Sequence, residues 1–174
     1  MEQIRKIQEI ENMKRVNLIY KHPLYIECMA KNRVAEEGRI FCGHDLQHFL
    51  DVARLAYIFS FERGYRISKE KIYAAALLHD IGKWMQYTEK IPHEQASARI
   101  AEKILEETGF DENEKKEILT AILSHREHSK DKRNGIELAE VLYDADKISR
   151  NCFVCASEKE CDWADEKKNL QIIW

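Results

Sequence analysis

The sequence contains few of the residues that interrupt regular secondary structure. Its 174 residues include six glycines and two prolines, and it has no repeat, linker or low-complexity tract. This scarcity argues against a loop-rich or disordered chain. Alanine, leucine, isoleucine, glutamate and lysine dominate, whereas patterns typical of strands are rare. The composition therefore predicts an all-α protein, folded as a single-domain helical bundle.

Long apolar segments are also missing. No run approaches the ~20 apolar residues that a helix needs to cross a bilayer. The N-terminus is charged from Glu2 onward and lacks the apolar stretch of a secretion signal. We therefore expect a cytoplasmic protein with no membrane partner. In that compartment its five cysteines, an odd number, favour free thiols or metal ligands over a disulfide framework.

An excess of positive charge is absent as well. The chain carries 28 basic and 31 acidic residues, for a formal net charge of -3. Proteins that coat nucleic acid usually have a basic excess, so we expect no nucleic-acid partner. A small phosphorylated ligand needs only a local cluster of cations, and it remains compatible with this balance. The expected oligomeric state is a monomer or a homodimer.

Helical spacing and capping signals divide most of the chain into helices. Ser68 is a predicted N-cap, and Gly82 follows the end of the helix that Ser68 begins. Asp111 and Glu114 have the spacing of a capping box. The predicted helices cover residues 2–18, 23–38, 44–63, 69–80, 92–109, 112–126 and 136–151.

Five of these helices carry a histidine or an aspartate on the apolar face that should turn towards the core. A single histidine in such a place is more often a hydrogen-bonded core residue than a metal ligand. Burying a whole set without partners is costly, because each unpaired polar group costs roughly 1–3 kcal/mol. One metal cluster would satisfy them together, and imidazole with carboxylate suits Fe, Mn, Zn or Co. The set comprises His48, His79 with the adjacent Asp80, His93, His125 and Asp146.

The order of these residues resembles the H…HD…D signature of the HD-domain superfamily of metal-dependent phosphohydrolases. The strings that carry the resemblance are HFLDVARLA (48–56), LLHDIGK (77–83) and LYDADKIS (142–149). Two more, HEQASARIAEKIL (93–105) and AILSHRE (121–127), resemble the segments that supply two further histidines in dinuclear members. The full set is similar to bacterial hydrolases of dinucleoside polyphosphates and to the HD-GYP cyclic-dinucleotide phosphodiesterases. The Gly-Tyr-Pro motif of the latter is missing, which argues against a cyclic dinucleotide as substrate.

The resemblance implies a fold and a set of ligands. It implies an HD-type helical bundle with a metal site in its core at 44–151, N-terminal helices at 1–43 packed on that core, and a cysteine-containing tail of the same domain at 152–174. The first metal ion would be held by His48, His79, Asp80 and Asp146. Asp80 would bridge to a second ion held by His93 and His125. Fe or Mn is expected at both positions, with Zn, Co and Ni as alternatives.

The chemistry expected of such a site is hydrolysis of a phosphate ester or anhydride, in a small phosphorylated substrate such as a nucleotide. Two cations would lower the pKa of a shared water towards 7 and give a hydroxide that attacks phosphorus. Asp80 and Lys83 are the predicted catalytic residues. Lys83 is also predicted to bind substrate, together with His44, Arg126 and Arg150. Further assignments make Asp45 a partner of a ligand imidazole and place His22 and His128 on the surface.

Two other functions fit the same ligand set. Some HD-domain proteins resemble di-iron oxygenases, in which the cluster activates O₂ in place of water, so a di-iron oxygenase is the alternative. A non-catalytic binding module is the third, although such modules tend to lose ligands and none is missing here. The run Cys152, Cys155 and Cys161, with Cys42 as a possible fourth ligand, could hold a structural zinc or an iron–sulfur cluster. The favoured interpretation is that Cys152 and Cys155, at i and i+3, are small core residues of a continuing helix.

Overall fold

The computed structural model describes residues 13–126 and 137–172, and within these ranges it contains helices and no strand. Most of the first predicted helix and the assignment of His128 to the surface lie outside the described residues. The all-α prediction is confirmed. None of the helices in the described part of the chain is long and apolar enough to cross a membrane.

The helices are numbered here in chain order. They are α1 Lys14–Lys21, α2 Pro23–Ala35, α3 Leu46–Glu62, α4 Lys69–Leu78, α5 Lys83–Thr88, α6 His93–Glu107, α7 Glu112–Ser124 and α8 Glu137–Ile148. Two short 3₁₀ turns follow α8, at Cys152–Val154 and Asp165–Lys167.

At two of the predicted helix starts, a side chain accepts hydrogen bonds from backbone N–H groups of the first turn. Ser68 accepts a hydrogen bond from the Lys71 N–H and begins α4. Asp111 and Glu114 form the complete capping box of α7, each accepting from the other's backbone N–H. These local signals were readable from the sequence because each needs only residues within one turn.

The segment after α4 differs from the prediction. The helix ends at Leu78, and the chain turns through His79–Gly82 before it enters a short helix, α5, that the sequence did not predict. Gly82 packs against the start of α6: a Cβ at this position would lie 2.6 Å from the Ser97 backbone N and 2.7 Å from the Ala96 carbonyl carbon. The Gly82 N–H also donates to Ser97 Oγ. This close approach fixes the turn that carries His79 and Asp80.

The helices enclose one apolar core. Helix α3 packs on α4 and α8, while α7 packs on α6 and α8. Fully buried side chains from these helices fill the space between them, among them Phe49, Leu78, Ile104, Ile122 and Leu142. The predicted polar residues lie on the same inward faces, so the packing that forms the core also brings them together.

The chain after α8 folds back onto the end of that helix. Asn169 donates hydrogen bonds from Nδ2 to the carbonyl groups of Lys147, Ile148 and Arg150, and its own carbonyl accepts from the Phe153 N–H. These bonds satisfy carbonyl groups that a helix end leaves unpaired. They also fix the backbone at Arg150, whose side chain reaches the candidate site.

Candidate metal centre

The six residues predicted to bind metal lie together in the core. None of them is more than 8% exposed, and His79 is fully buried. They form two groups whose potential ligand atoms lie within 4.8 Å of one another. The first group contains His48, His79, Asp80 and Asp146; the second contains Asp80, His93 and His125. Asp80 belongs to both groups, which is the arrangement that a bridging carboxylate requires.

In the first group, two imidazoles face two carboxylates. His79 Nε2 lies 3.2 Å from Asp80 Oδ2 and 3.6 Å from Asp146 Oδ1. His48 Nε2 lies 3.3 Å from the same Asp146 oxygen. Helices α3 and α8 supply His48 and Asp146, and the turn after α4 supplies the other two. Residues far apart in the sequence therefore converge through the packing of α3, α4 and α8.

In the second group, two imidazoles face the other oxygen of Asp80. His93 Nε2 lies 3.1 Å from Asp80 Oδ1, and His125 Nε2 lies 3.6 Å from it. His93 is the first residue of α6, and His125 directly follows α7. The two carboxylate oxygens of Asp80 thus face separate sets of histidines.

Hydrogen bonds at the outer nitrogen of each histidine assign the ring proton to Nδ1. His79 Nδ1 donates to the Ala76 carbonyl at 2.7 Å, and His125 Nδ1 donates to the Ile122 carbonyl at 2.6 Å. The two other rings have side-chain acceptors: Ser149 Oγ lies 3.3 Å from His48 Nδ1, and Gln86 Oε1 contacts His93 Nδ1. The Nε2 atoms of the neutral rings therefore present lone pairs to the centre.

Three of the inward atoms are buried polar atoms without a hydrogen-bond partner among the described residues. They are His79 Nε2, Asp80 Oδ1 and Asp146 Oδ1. Buried polar groups are normally paired, so their convergence calls for a positive charge between them. Two ligands on one transition-metal ion at about 2.0–2.2 Å lie roughly 3.0–3.5 Å apart, which fits the separations in both groups. The donor set therefore fits divalent metal ions.

The pKa values of the buried histidines and of Asp80 show which of these groups are charged at pH 7. Burial opposes a charge on His79, but the carboxylates of Asp80 and Asp146 together outweigh burial and raise the pKa of His79 to about 9. Burial likewise opposes ionisation of Asp80, yet His79 and His44 hold the pKa of its carboxyl well below the usual range. Burial lowers the pKa of His48 to about 4 and that of His93 to about 2, so both rings are neutral at pH 7.

His44, a predicted substrate contact, lies at the edge of the centre. It is 7% exposed, and its Nε2 lies 3.7 Å from Asp80 Oδ2. Its Nδ1 makes a short hydrogen bond to Glu36 Oε1, and its backbone N–H donates to Glu36 Oε2. Tyr87 donates its hydroxyl to the same carboxylate at 3.0 Å. Burial opposes ionisation of Glu36, but the His44 hydrogen bond lowers its pKa to about 2.

The three predicted cations lie at different distances from the centre. Lys83 Nζ lies 3.2 Å from His93 Nδ1, and burial lowers the pKa of this lysine. Arg150 places its NH2 3.0 Å from His48 Nε2 and 3.6 Å from Asp146 Oδ1. Arg126 is more remote: its side chain is 53% exposed and lies 3.5 Å from Glu94. Lys83 and Arg150 therefore contact the converging residues directly, whereas Arg126 has no recorded contact with them among the described residues.

Asp45 has a different role from the one predicted. Its carboxylate accepts from the backbone N–H of His48 and caps α3, whereas Ser149 is the partner of the His48 ring. Sequence reasoning also missed Asn32, which is buried on α2. Asn32 donates to the Asp80 carbonyl at 3.0 Å and accepts from the Trp84 N–H at 2.8 Å. It thereby joins α2 to the turn that carries Asp80.

The cysteines do not assemble into a metal site within the described part of the chain. All five are free, and none belongs to a group of converging potential ligands. Cys42 is exposed and Cys152 is buried, while Cys155 and Cys161 are partly exposed. Cys152 opens a 3₁₀ turn, so the structure shows it as a packed residue of the segment after α8.

Several known proteins are similar in sequence to this chain. A protein of Clostridium beijerinckii described as uncharacterized is 42% identical over 162 residues, which are 93% of this chain and 100% of the relative. Ribonuclease Y of Nitratidesulfovibrio vulgaris is 34% identical over 128 residues, covering 74% of this chain. Ribonuclease Y of Mycoplasma mycoides is 36% identical over 104 residues, covering 60%. The matched region is 22% of the length of each of these ribonucleases. No solved structure gives a significant match.

A family model described as the HD domain matches residues 45–151, which include all six converging residues. That range is more than half of the chain, and it contains the helices α3 to α8 that build the centre. The protein therefore belongs to the HD domain family, whose members are in general metal-dependent hydrolases.

Proposed function

We propose that the protein is a metal-dependent phosphohydrolase that cleaves a phosphate ester or anhydride in a nucleotide. The observation that carries this proposal is the set of buried imidazoles and carboxylates around Asp80, arranged in two groups that share its carboxylate. His48, His79, Asp80 and Asp146 would hold one ion, and Asp80, His93 and His125 the other. Fe or Mn is the expected metal, with Zn, Co and Ni as alternatives.

Bound cations of this kind lower the pKa of water and neutralise charge on phosphoryl oxygens. The protein's own part is to hold the ligands rigidly and to exclude bulk water. The hydrogen bonds from each Nδ1 fix the ring orientations, since an imidazole held at one nitrogen keeps its other lone pair aimed. Two of these acceptors are the backbone carbonyl groups of Ala76 in α4 and Ile122 in α7. A substitution of either side chain would leave these carbonyl groups in place.

Lys83 and Arg150 are the cations best placed to bind a phosphate group. Both contact histidines of the centre, and Lys83 is held between the turn after α4 and the start of α6. A guanidinium offers paired donors to phosphoryl oxygens, and an ammonium offers a compact charge. We therefore assign Lys83 to charge stabilisation during the reaction and Arg150 to substrate binding. His44 would bind substrate from the Glu36 side.

The relatives named ribonuclease Y raise the question of an RNA substrate. The chain corresponds to only 22% of those proteins, and its net charge of -3 gives no basic excess for binding a polyanionic strand. These observations favour a small phosphorylated substrate over nucleic acid. Because these relatives are named as ribonucleases, phosphodiester bonds are among the bonds to test.

The test is a substrate panel on protein loaded with Mn²⁺ or Fe²⁺ in the absence of O₂. The panel holds p-nitrophenyl phosphate, bis-p-nitrophenyl phosphate, ADP, ATP, diadenosine tetraphosphate and a short single-stranded RNA. We expect metal-dependent turnover of at least one nucleotide, a loss of about 10²-fold or more in kcat for Lys83→Gln, and unchanged turnover for the control Lys103→Gln, whose side chain is 65% exposed on the outside of α6.

Three outcomes separate the candidate functions. Turnover of nucleotides without O₂ supports the proposal, and cleavage confined to the RNA would replace the small substrate with nucleic acid. No cleavage of any member, combined with substrate-dependent O₂ uptake by the iron-loaded protein, would overturn hydrolysis in favour of the di-iron oxygenase.

A further inference from the structure

A cavity of ≈ 500 Å³ opens beside the metal centre, between α2 and the loop that precedes α3. Its apolar surface includes Met29 from α2 and Phe41 from the loop. A cavity of this volume is within the range that holds drug-sized ligands. We call it the α2 cavity. The function proposed above gives it no role apart from His44, which forms one of its walls.

The α2 cavity adjoins the reacting centre through that wall. His44 lines the cavity, and its Nε2 lies 3.7 Å from the bridging Asp80. Glu36 holds the ring from the cavity side, through contacts to both Nδ1 and the backbone N–H of His44. The cavity and the bridging carboxylate therefore lie on either side of a single side chain, His44.

The charges that line the cavity favour an anion. Its two carboxylates are already engaged, because Glu36 accepts from His44 and Tyr87 while Asp45 caps α3. Its two guanidinium groups, by contrast, keep free N–H donors. Arg33 has no recorded hydrogen bond or ion pair with any described residue, and Arg39 uses only Nε, which donates to the Cys42 carbonyl at 3.1 Å.

One of these arginines also lies beside an aromatic ring. The Arg39 guanidinium lies 5.6 Å from the centre of the Phe41 ring. A planar base can stack on an aromatic ring, while guanidinium groups bind phosphates through paired N–H donors. Unpaired cations beside an apolar wall are therefore a combination that suits a nucleoside carrying phosphates and disfavours a purely apolar ligand.

We propose that the α2 cavity binds the part of a nucleotide substrate that lies beyond the reacting phosphorus, with a nucleobase against Phe41 and Met29 and phosphates on Arg33 and Arg39. This assignment rests on the proposed function for its place in the reaction, and it specifies the substrate class as nucleotides with two or more phosphates. A monophosphate ester with a small leaving group would leave the cavity empty.

The test measures binding without turnover. A fluorescent N-methylanthraniloyl derivative of ADP is titrated with protein kept free of metal by EDTA, and anisotropy reports saturation. We expect saturable binding by the unaltered chain, weakened about tenfold or more by the double substitution Arg33→Gln and Arg39→Gln, since each guanidinium–phosphate contact is a charge-assisted hydrogen bond. The single change Arg33→Gln should give an intermediate loss, because it disturbs no recorded contact.

The control is Arg66→Gln, which removes an exposed arginine from the loop at the opposite end of α3. It should leave the dissociation constant unchanged, and circular dichroism of all variants should match. Added salt should weaken binding to the unaltered chain more than to the double variant. The absence of saturable binding up to millimolar protein, or equal binding by the double variant, would overturn the proposal. Because the assay needs no hydrolysis, either result is independent of whether the panel of substrates is cleaved.

Discussion

His93 and His125 bring their Nε2 atoms to within 3.1 Å of each other, and both face Asp80 Oδ1. The outer nitrogen of each ring contacts an acceptor, Gln86 Oε1 for His93 and the Ile122 carbonyl for His125. Two lone pairs and a carboxylate oxygen therefore converge on one point. An arrangement of acceptors alone is unfavourable in a buried site, and a cation between them removes the conflict.

The first prediction concerns that second group. His93→Ala should reduce the metal content from about two ions per chain to about one, because the group that contains His48, His79 and Asp146 keeps its own ligands. Inductively coupled plasma mass spectrometry after dialysis gives the stoichiometry. His22→Ala is the matched control, since His22 contacts Glu107 and lies outside both groups. An unchanged metal content in His93→Ala would show that the second group holds no ion.

The second prediction concerns the close approach at Gly82. Gly82→Ala would place a methyl group 2.6 Å from the Ser97 backbone N and 2.8 Å from Ala96 Cβ, so α6 must move away from the turn after α4. We expect the free energy of unfolding to fall by about 1–3 kcal/mol, the usual cost of overpacking. Urea denaturation of the metal-free protein measures it.

Gly43→Ala is the matched control for this change. A Cβ at Gly43 meets only Glu36 Oε2, at an ordinary 3.7 Å, and we expect a change in unfolding free energy of less than about 0.5 kcal/mol. Equal effects of the two substitutions would show that the contact between Gly82 and α6 does not constrain the turn.

Features that depend on residues close together in the sequence could be predicted, whereas features that depend on the packing of distant segments could not. The caps at Ser68 and Asp111 follow from residues within one turn, and the histidines and aspartates were found because a 3.6-residue period places them on apolar faces. The short helix α5 was missed because Gly82, a typical helix terminator, lies directly before it. The structure shows that Gly82 precedes the first residue of α5 and packs closely on α6.

The residues that support the centre carried no such signal. Asn32 lies within α2 and reaches the Asp80 carbonyl, 48 positions away, only through the way α2 packs on the rest of the fold. Glu36 lies just past the end of α2 and reaches His44, eight positions away, through the course of the loop between them. Ser149 follows Asp146 at a spacing of three, which could have suggested a shared environment, but its contact with His48 spans 101 positions. Periodicity identifies inward faces; it does not identify which faces meet.

The third prediction tests the support that Asn32 gives to the turn. Asn32→Ala removes a donor from the Asp80 carbonyl and an acceptor from the Trp84 N–H in a buried site. We expect a loss of about 1–3 kcal/mol in unfolding free energy, as for unsatisfied buried partners. Asn113→Ala, an exposed asparagine in the first turn of α7, should cost much less. Equal unfolding midpoints in urea for the two variants would contradict this role.

The fourth prediction concerns the proton that His79 releases when a metal ion binds. With its pKa raised to about 9, His79 carries a second proton at pH 7 in the metal-free protein. A metal ion needs the Nε2 lone pair, so its binding must expel that proton. Metal affinity should therefore rise about tenfold per pH unit between pH 6 and 8 and level off above pH 9. His48 and His93 are already neutral in this range and contribute nothing to the slope.

Calorimetry of Mn²⁺ binding in two buffers with different ionisation enthalpies gives the number of protons released. At pH 7 we expect at least about one proton per chain, and fewer as the pH approaches 10. Zero release at pH 7 would contradict a protonated His79 between Asp80 and Asp146.

The most direct measurement is the metal content of Asp80→Ala, compared with the unaltered chain and with Asp51→Ala, an aspartate on α3 whose recorded contacts are to Gln47 and Arg54. Because Asp80 is shared by both groups, its loss should remove both ions and abolish turnover, while circular dichroism shows the same helical content. The unaltered chain and Asp51→Ala should each retain about two ions. A folded Asp80→Ala protein that keeps both ions would contradict a dinuclear centre built around this carboxylate.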